Sequence, residues 1–157
     1  MLNVYKYFDD YQSLPGIEKY KQKIKKDPEL SYDFALGVIK GRWQEAEPRI
    51  MKDPEYAYGY AKDVINGRWI EAEPNIMKKP GTAYYYAHDV IKGRWPEAEP
   101  RIMKDAWYSY LYAKDVLSKD LDWTKEEGHE NGRWPEAERI IKNSICWMHY
   151  KKHFNIE

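Results

Sequence analysis

Gly-Arg-Trp stands at 41–43, 67–69 and 93–95, a strict period of 26 residues, and returns at 132–134, one period plus 13 residues after the third copy. A chain made of fixed-length copies folds as repeated supersecondary units, each burying its apolar side against its neighbours. The copies extend well beyond the tripeptide and divide the chain into repeats 28–53, 54–79, 80–105 and 106–144, the last interrupted by an insertion at 119–131. Residues 1–27 read as a degenerate N-terminal cap, because Lys23-Ile-Lys-Lys-Asp27 is in phase with Arg49-Ile-Met-Lys-Asp53 while the rest matches poorly. With 145–157 as the end of a C-terminal helix, residues 1–157 are expected to form a single repeat domain.

Each repeat opens with helix-start chemistry. Asp27-Pro-Glu and Asp53-Pro-Glu supply a capping carboxylate, a proline at the first helical position and an acid at the positive end of the helix dipole. Gly41, Gly67 and Gly93 are placed to end that helix as left-handed C′ residues. A short second helix is expected over 44–52, 70–78 and 96–104, distorted early because Pro48, Pro74 and Pro100 each lack an N–H. In the fourth copy Arg139 replaces that proline, so Pro135 to His153 is expected to run as one long helix with Ile141, Ile145 and Met148 facing inward. The expected fold is all-α, short helix-turn-helix repeats stacked as an α-solenoid.

Aligning the copies separates packing from individuality. Tyr32/58/84/110, Phe34/Tyr60/Tyr86/Tyr112, Ala35/61/87/113 and Val38/64/90/116 barely vary and form one broad apolar stripe. The variable columns form another face: Glu29, Asp33, Leu36, Lys40; Glu55, Gly59, Lys62, Asn66; Gly81, Tyr85, His88, Lys92; and Trp107, Leu111, Lys114, Ser118. Asp63, Asp89 and Asp115 share a slot that is Gly37 in the first repeat, where the preceding unit has Gly16 in place of the motif arginine. That coincidence predicts ion pairs between neighbouring repeats, Asp63 with Arg42, Asp89 with Arg68 and Asp115 with Arg94.

The repeat consensus, Tyr-Ala-x-Asp-Val-Ile-x-Gly-Arg-Trp-x-Glu-Ala-Glu-Pro-x-Ile-Met-Lys-Asp, resembles short tandem helical repeats in proteins of tailed bacteriophages, over 28–144. The resemblance implies an accessory protein made in the infected cell, binding a host protein such as a defence factor. It brings no functional residues with it. The 119–131 insertion and Arg139 depart from its pattern.

Charge and composition narrow the function further. Lys plus Arg and Asp plus Glu both number 26, so no global field draws the chain to nucleic acid or an anionic membrane. The lone Cys146 excludes an intramolecular disulfide, no apolar stretch is long enough to span a bilayer, and the start of the chain lacks a signal-type apolar core. A cytoplasmic location is expected. No phosphate loop or nucleophile motif is present, so neither enzymatic chemistry nor a cofactor is expected. Cys146, His149 and His153 fall on one helix side but offer no fourth metal ligand.

The candidate partner-binding residues are Tyr85, His88, Trp107 and Leu111, where the variable face turns aromatic and apolar, with Trp123 and His129 of the insertion. The insertion either extends that face or folds back over it. Trp43, Trp69, Trp95 and Trp134 beside their arginines could stack bases, but the Glu-Ala-Glu after each favours a packing role. The preferred function is non-enzymatic protein binding, ahead of capture of a nucleotide-like small molecule through Tyr, Trp and Arg, and of single-stranded nucleic-acid binding. Self-association through an imperfectly capped end is a further reading.

Overall fold

A computed structural model describes residues 16–126 and 129–157, and the described residues are helical and contain no strand. The chain divides into two compact units, Met1–Ile76 and Met77–Glu157. Within each unit, consecutive repeats lie side by side as in a helical solenoid, so the all-α repeat architecture is what the sequence predicts. Most of the N-terminal cap, residues 1–15, lies outside the described residues.

In the first unit, α1 (Ile17–Ile24) precedes α2 (Pro28–Phe34), α3 (Glu47–Ile50), α4 (Pro54–Tyr60) and α5 (Glu73–Ile76). Asp27 accepts the Leu30 N–H, and Asp53 accepts those of Glu55 and Tyr56, so both aspartates cap as their sequence context predicts. Both helices then widen into a π turn, Ala35–Ile39 and Ala61–Ile65. Phe34 and Tyr60 of the first helices, Trp43 and Trp69 of the connections, and Ile50 and Ile76 of the second helices bury their side chains. The prolines of the second helix are accommodated simply. The α-helical turn starts one residue before Pro48, which therefore occupies the first turn, where its missing N–H has no helical acceptor to lose.

In the second unit, α6 (Pro80–Tyr86) and its π turn Ala87–Ile91 are followed by a 3-10 turn at Pro96–Ala98 and α7 (Glu99–Ile102). Then come α8 (Ala106–Asp115), α9 (Pro135–Ile141) and α10 (Cys146–Phe154). The insertion enters by a 3-10 turn at Leu117–Lys119 in place of the π turn of the other copies.

Two expectations are corrected here. The left-handed residue ending each first helix is Lys40, Asn66 or Lys92, at φ 55, 57 and 57, one position before the glycine. The amide of Gly41 then reaches back to the Ala35 carbonyl, as Gly67 does to Ala61 and Gly93 to Ala87. The π turn adds a residue to the helix end and shifts the cap by one. Secondly, residues 135–153 are two helices. Ser144 donates its hydroxyl to the Ile141 carbonyl and accepts the Cys146 N–H, closing α9 and opening α10. The turn reorients α10, so Ile141 is buried as expected while Ile145 and Met148 are 86% and 75% exposed. Tyr150 packs in α10 as Tyr112 does in α8, both fully buried, so α10 repeats the role of a first helix.

Candidate partner-binding face

The motif tryptophans and the glutamates that follow them are buried, while the arginines lie at the surface of the fold, Arg42 and Arg68 about half exposed, and fasten those glutamates. Arg42 donates Nε and Nη2 to the two carboxylate oxygens of Glu47, at 2.8 and 2.9 Å, and the same bidentate pair joins Arg68 to Glu73 and Arg94 to Glu99. Arg133 binds Glu138 through Nε and Nη2. Onto this pair the next first helix brings a tyrosine: Tyr60 Oη accepts the Trp43 N–H at 2.6 Å and donates to Glu47 Oε1 at 3.0 Å. In the second unit Tyr112 joins Trp95 to Glu99 and Tyr150 joins Trp134 to Glu138. The hydrogen bonds from Arg42 hold the Glu47 carboxyl below its ordinary range, while burial pushes the phenols of Tyr60, Tyr112 and Tyr150 up.

These contacts overturn the expected pairs of Asp63 with Arg42 and Asp115 with Arg94. Each arginine takes the glutamate five residues on, whose planar carboxylate meets the guanidinium fork without crossing to another repeat. The aspartate slot is filled differently: Tyr32 donates its hydroxyl to Asp63 at 2.7 Å and Tyr84 to Asp115 at 2.9 Å. Arg68 likewise binds Glu73, and Asp89 meets His88 Nδ1 at 2.6 Å. Asp63 and Asp115 do link neighbouring repeats, but through phenols. Tyrosine therefore supplies both inter-repeat links, a role the sequence reading missed. The signal was present: Phe34 has no hydroxyl where the preceding unit offers Ile17 and Lys21 in the Trp and Glu slots.

Trp43, Trp69, Trp95 and Trp134 are buried against the ring of their own repeat, with centroids 5.0–5.2 Å from Phe34, Tyr60, Tyr86 and Tyr112. They offer no stacking platform to a base.

The insertion folds inward as well. Trp123 stacks flat on His129, centroids 3.9 Å apart, and carries the Arg94 guanidinium at 4.2 Å from its ring. Its indole N–H donates to the Arg133 carbonyl at 3.0 Å. His129 is buried between Glu126, 3.2 Å from Nδ1, and Glu136, 3.9 Å from Nε2; the Glu126 contact has ion-pair distance without hydrogen-bond alignment. Trp123 and His129 are thus packing residues of the insertion and are withdrawn from the binding face. The reason is local: Trp123 covers the arginine side of repeat three, leaving Tyr85 and Trp107 uncovered.

What remains outward is the variable face of the second unit. Tyr85 is 42% exposed and Trp107 46%, with His88 and Leu111 half-buried beside them. Tyr85 lies edge-on to Tyr108, 6.1 Å between centroids, so the rings of α6 and α8 meet. Gly81 makes this approach possible, since a Cβ there would sit 2.8 Å from the Tyr108 ring. Trp107 packs against Tyr110, which stacks on His149 of α10 at 6.4 Å. Relative to the buried Tyr150, Ile145 and His149 hold the positions that Trp107 and Leu111 hold relative to Tyr112. The face therefore has a third row that the expectation of one long helix had concealed.

Among the described residues no group of three His, Cys, Asp or Glu is arranged to hold a metal, and no helix is long and apolar enough to cross a membrane. The fold and this face define a class, an all-α tandem-repeat protein whose constant columns pack and whose variable columns are presented outward. No family model, curated protein or solved structure matches the chain.

Proposed function

We propose that this chain is a non-enzymatic protein-binding module that engages its partner through Tyr85, Trp107 and Leu111 on α6 and α8, extended by Ile145 and Met148 on α10. The observation that carries this reading is the contrast between columns. The motif tryptophans and glutamates are consumed by packing, while Tyr85, Trp107 and Ile145, all in variable columns, are exposed on three first helices of one unit, with Met148 exposed beside Ile145. Exposed aromatic and aliphatic clusters of this kind favour association, with Trp and Tyr as anchors. The likeness of the repeat to tailed-phage proteins makes a host factor, including a defence protein, the first partner class to test, with occlusion or sequestration as the mode of action.

Affinity capture from host lysate tests the proposal. A partner retained by the wild-type chain and lost from Trp107→Ser and Tyr85→Ser supports it; equal retention by the variants counts against it.

A further inference from the structure

We infer that the partner element seated on this face is an acidic amphipathic helix, an inference that rests on the protein-binding reading above and adds the chemistry of its ligand. In the second unit the three innermost variable columns read Gly81, Tyr85, His88; Trp107, Leu111, Lys114; and Ile145, His149, Lys152. No acid stands among these nine residues, whereas the same columns in repeats 28–53 and 54–79 hold Glu29, Asp33 and Glu55. The aspartates flanking the face are engaged, Asp115 by Tyr84 Oη and, at 3.5 Å, by Lys114 Nζ, and Asp89 by His88, so the cationic rim rests chiefly on Lys92, Lys151 and Lys152. Lys92 lies at the end of the α6 row, and Lys151 beside Lys152 adds to the cationic rim of α10.

An apolar centre with a cationic rim is complemented by a helix with an apolar stripe bordered by Asp and Glu. The chain itself displays the geometry of such packing. Tyr84 and Tyr110 are buried in the column that Met148 occupies at 75% exposure, and Tyr84 is covered there by α8, whose Tyr108 lies 6.1 Å away. A helix laid against Met148 and Ile145 would occupy the place that α8 takes beside α6. Ile145, Met148 and Leu111 interleave the rings of this face with aliphatic side chains, and its four lysines, Lys92, Lys114, Lys151 and Lys152, are too few for a phosphate-tracking groove.

Panning a displayed library of random helical peptides against the intact chain reads this out directly. Enrichment of Asp and Glu interleaved with Leu, Phe or Trp is expected, with binding that weakens as salt rises and falls about tenfold or more in Lys114→Glu with Lys152→Glu. Ile145→Ser with Met148→Ser should reduce it independently; both residues are exposed, so folding is preserved. Selection of neutral or basic peptides, displacement by oligo-dT, or a dimer abolished by the Ile145 and Met148 changes would overturn the inference. If lysate capture still depends on Trp107 while no acidic peptide is enriched, the helix chemistry fails and the protein-binding reading survives. If neither depends on Trp107, both fail.

Discussion

The hydroxyl of Tyr112 accepts the backbone N–H of Trp95 at 2.7 Å, and the two residues belong to successive repeats 17 positions apart in sequence. The same hydroxyl lies 3.3 Å from Glu99, which Arg94 holds in a bidentate grip. One phenol therefore satisfies a buried amide and completes the solvation of a buried carboxylate. Tyr112→Phe keeps the ring but orphans the Trp95 N–H and removes one of the three donors to Glu99, and should cost about 1–3 kcal/mol, read from urea denaturation. Tyr60→Phe, which severs the equivalent link to Trp43 and Glu47, should act similarly.

Burial raises the phenols of Tyr60, Tyr112 and Tyr150 above their ordinary value of 10.0. The folded chain keeps protons that the unfolded chain loses, so this contribution is complete below pH 10 and disappears as pH rises toward the folded values. Alkaline titration should show these tyrosines ionising together with loss of helical circular dichroism. The Glu47 carboxyl is shifted the other way, so its contribution is present above the ordinary value of 4.5 and is lost as pH falls below it.

The four motif glycines are not equivalent. A Cβ at Gly132 would overlap the Ser118 backbone and lie 2.8 Å from the Ala113 carbonyl, on a residue at φ +88, whereas at Gly41, Gly67 or Gly93 it would meet nothing within 4 Å. Gly132→Ala should destabilise by at least about 2 kcal/mol and Gly93→Ala by far less. Lys92→Gly removes a side chain from a left-handed position and should stabilise by about 1 kcal/mol in the same denaturation assay.

Trp123 anchors the insertion by filling the space between Arg94 and His129. Trp123→Ala should cost about 3 kcal/mol and expose 119–131 to limited proteolysis, while leaving capture through the Trp107 face intact.

Periodicity carried most of the fold into the sequence. The all-α repeat architecture, the Asp27 and Asp53 caps and the packing role of the tryptophans follow from column comparison and turn chemistry alone, whereas the second helices, expected over 44–52 and 70–78, shrink to Glu47–Ile50 and Glu73–Ile76. The π turns do not: nothing in Ala35–Ile39 distinguishes one extra residue per turn, and the misplaced glycine cap follows from that. The arginine partner is not legible, because covariation across one gap cannot separate an ion pair from two phenol bonds. Of the proposed face, Tyr85, His88, Trp107 and Leu111 were legible as variable columns. Ile145 and Met148 were not, because the Ser144 turn that presents them leaves the apolar spacing of a continuous helix unchanged.

The most direct test of the account pairs capture with stability on the same two variants. Trp107→Ser should melt within about 0.5 kcal/mol of the wild type and lose the captured partner, while Tyr112→Phe should lose stability and, below its melting transition, keep that partner. Retention of the partner by Trp107→Ser, or its loss from folded Tyr112→Phe alone, would contradict the division between fastening columns and binding columns.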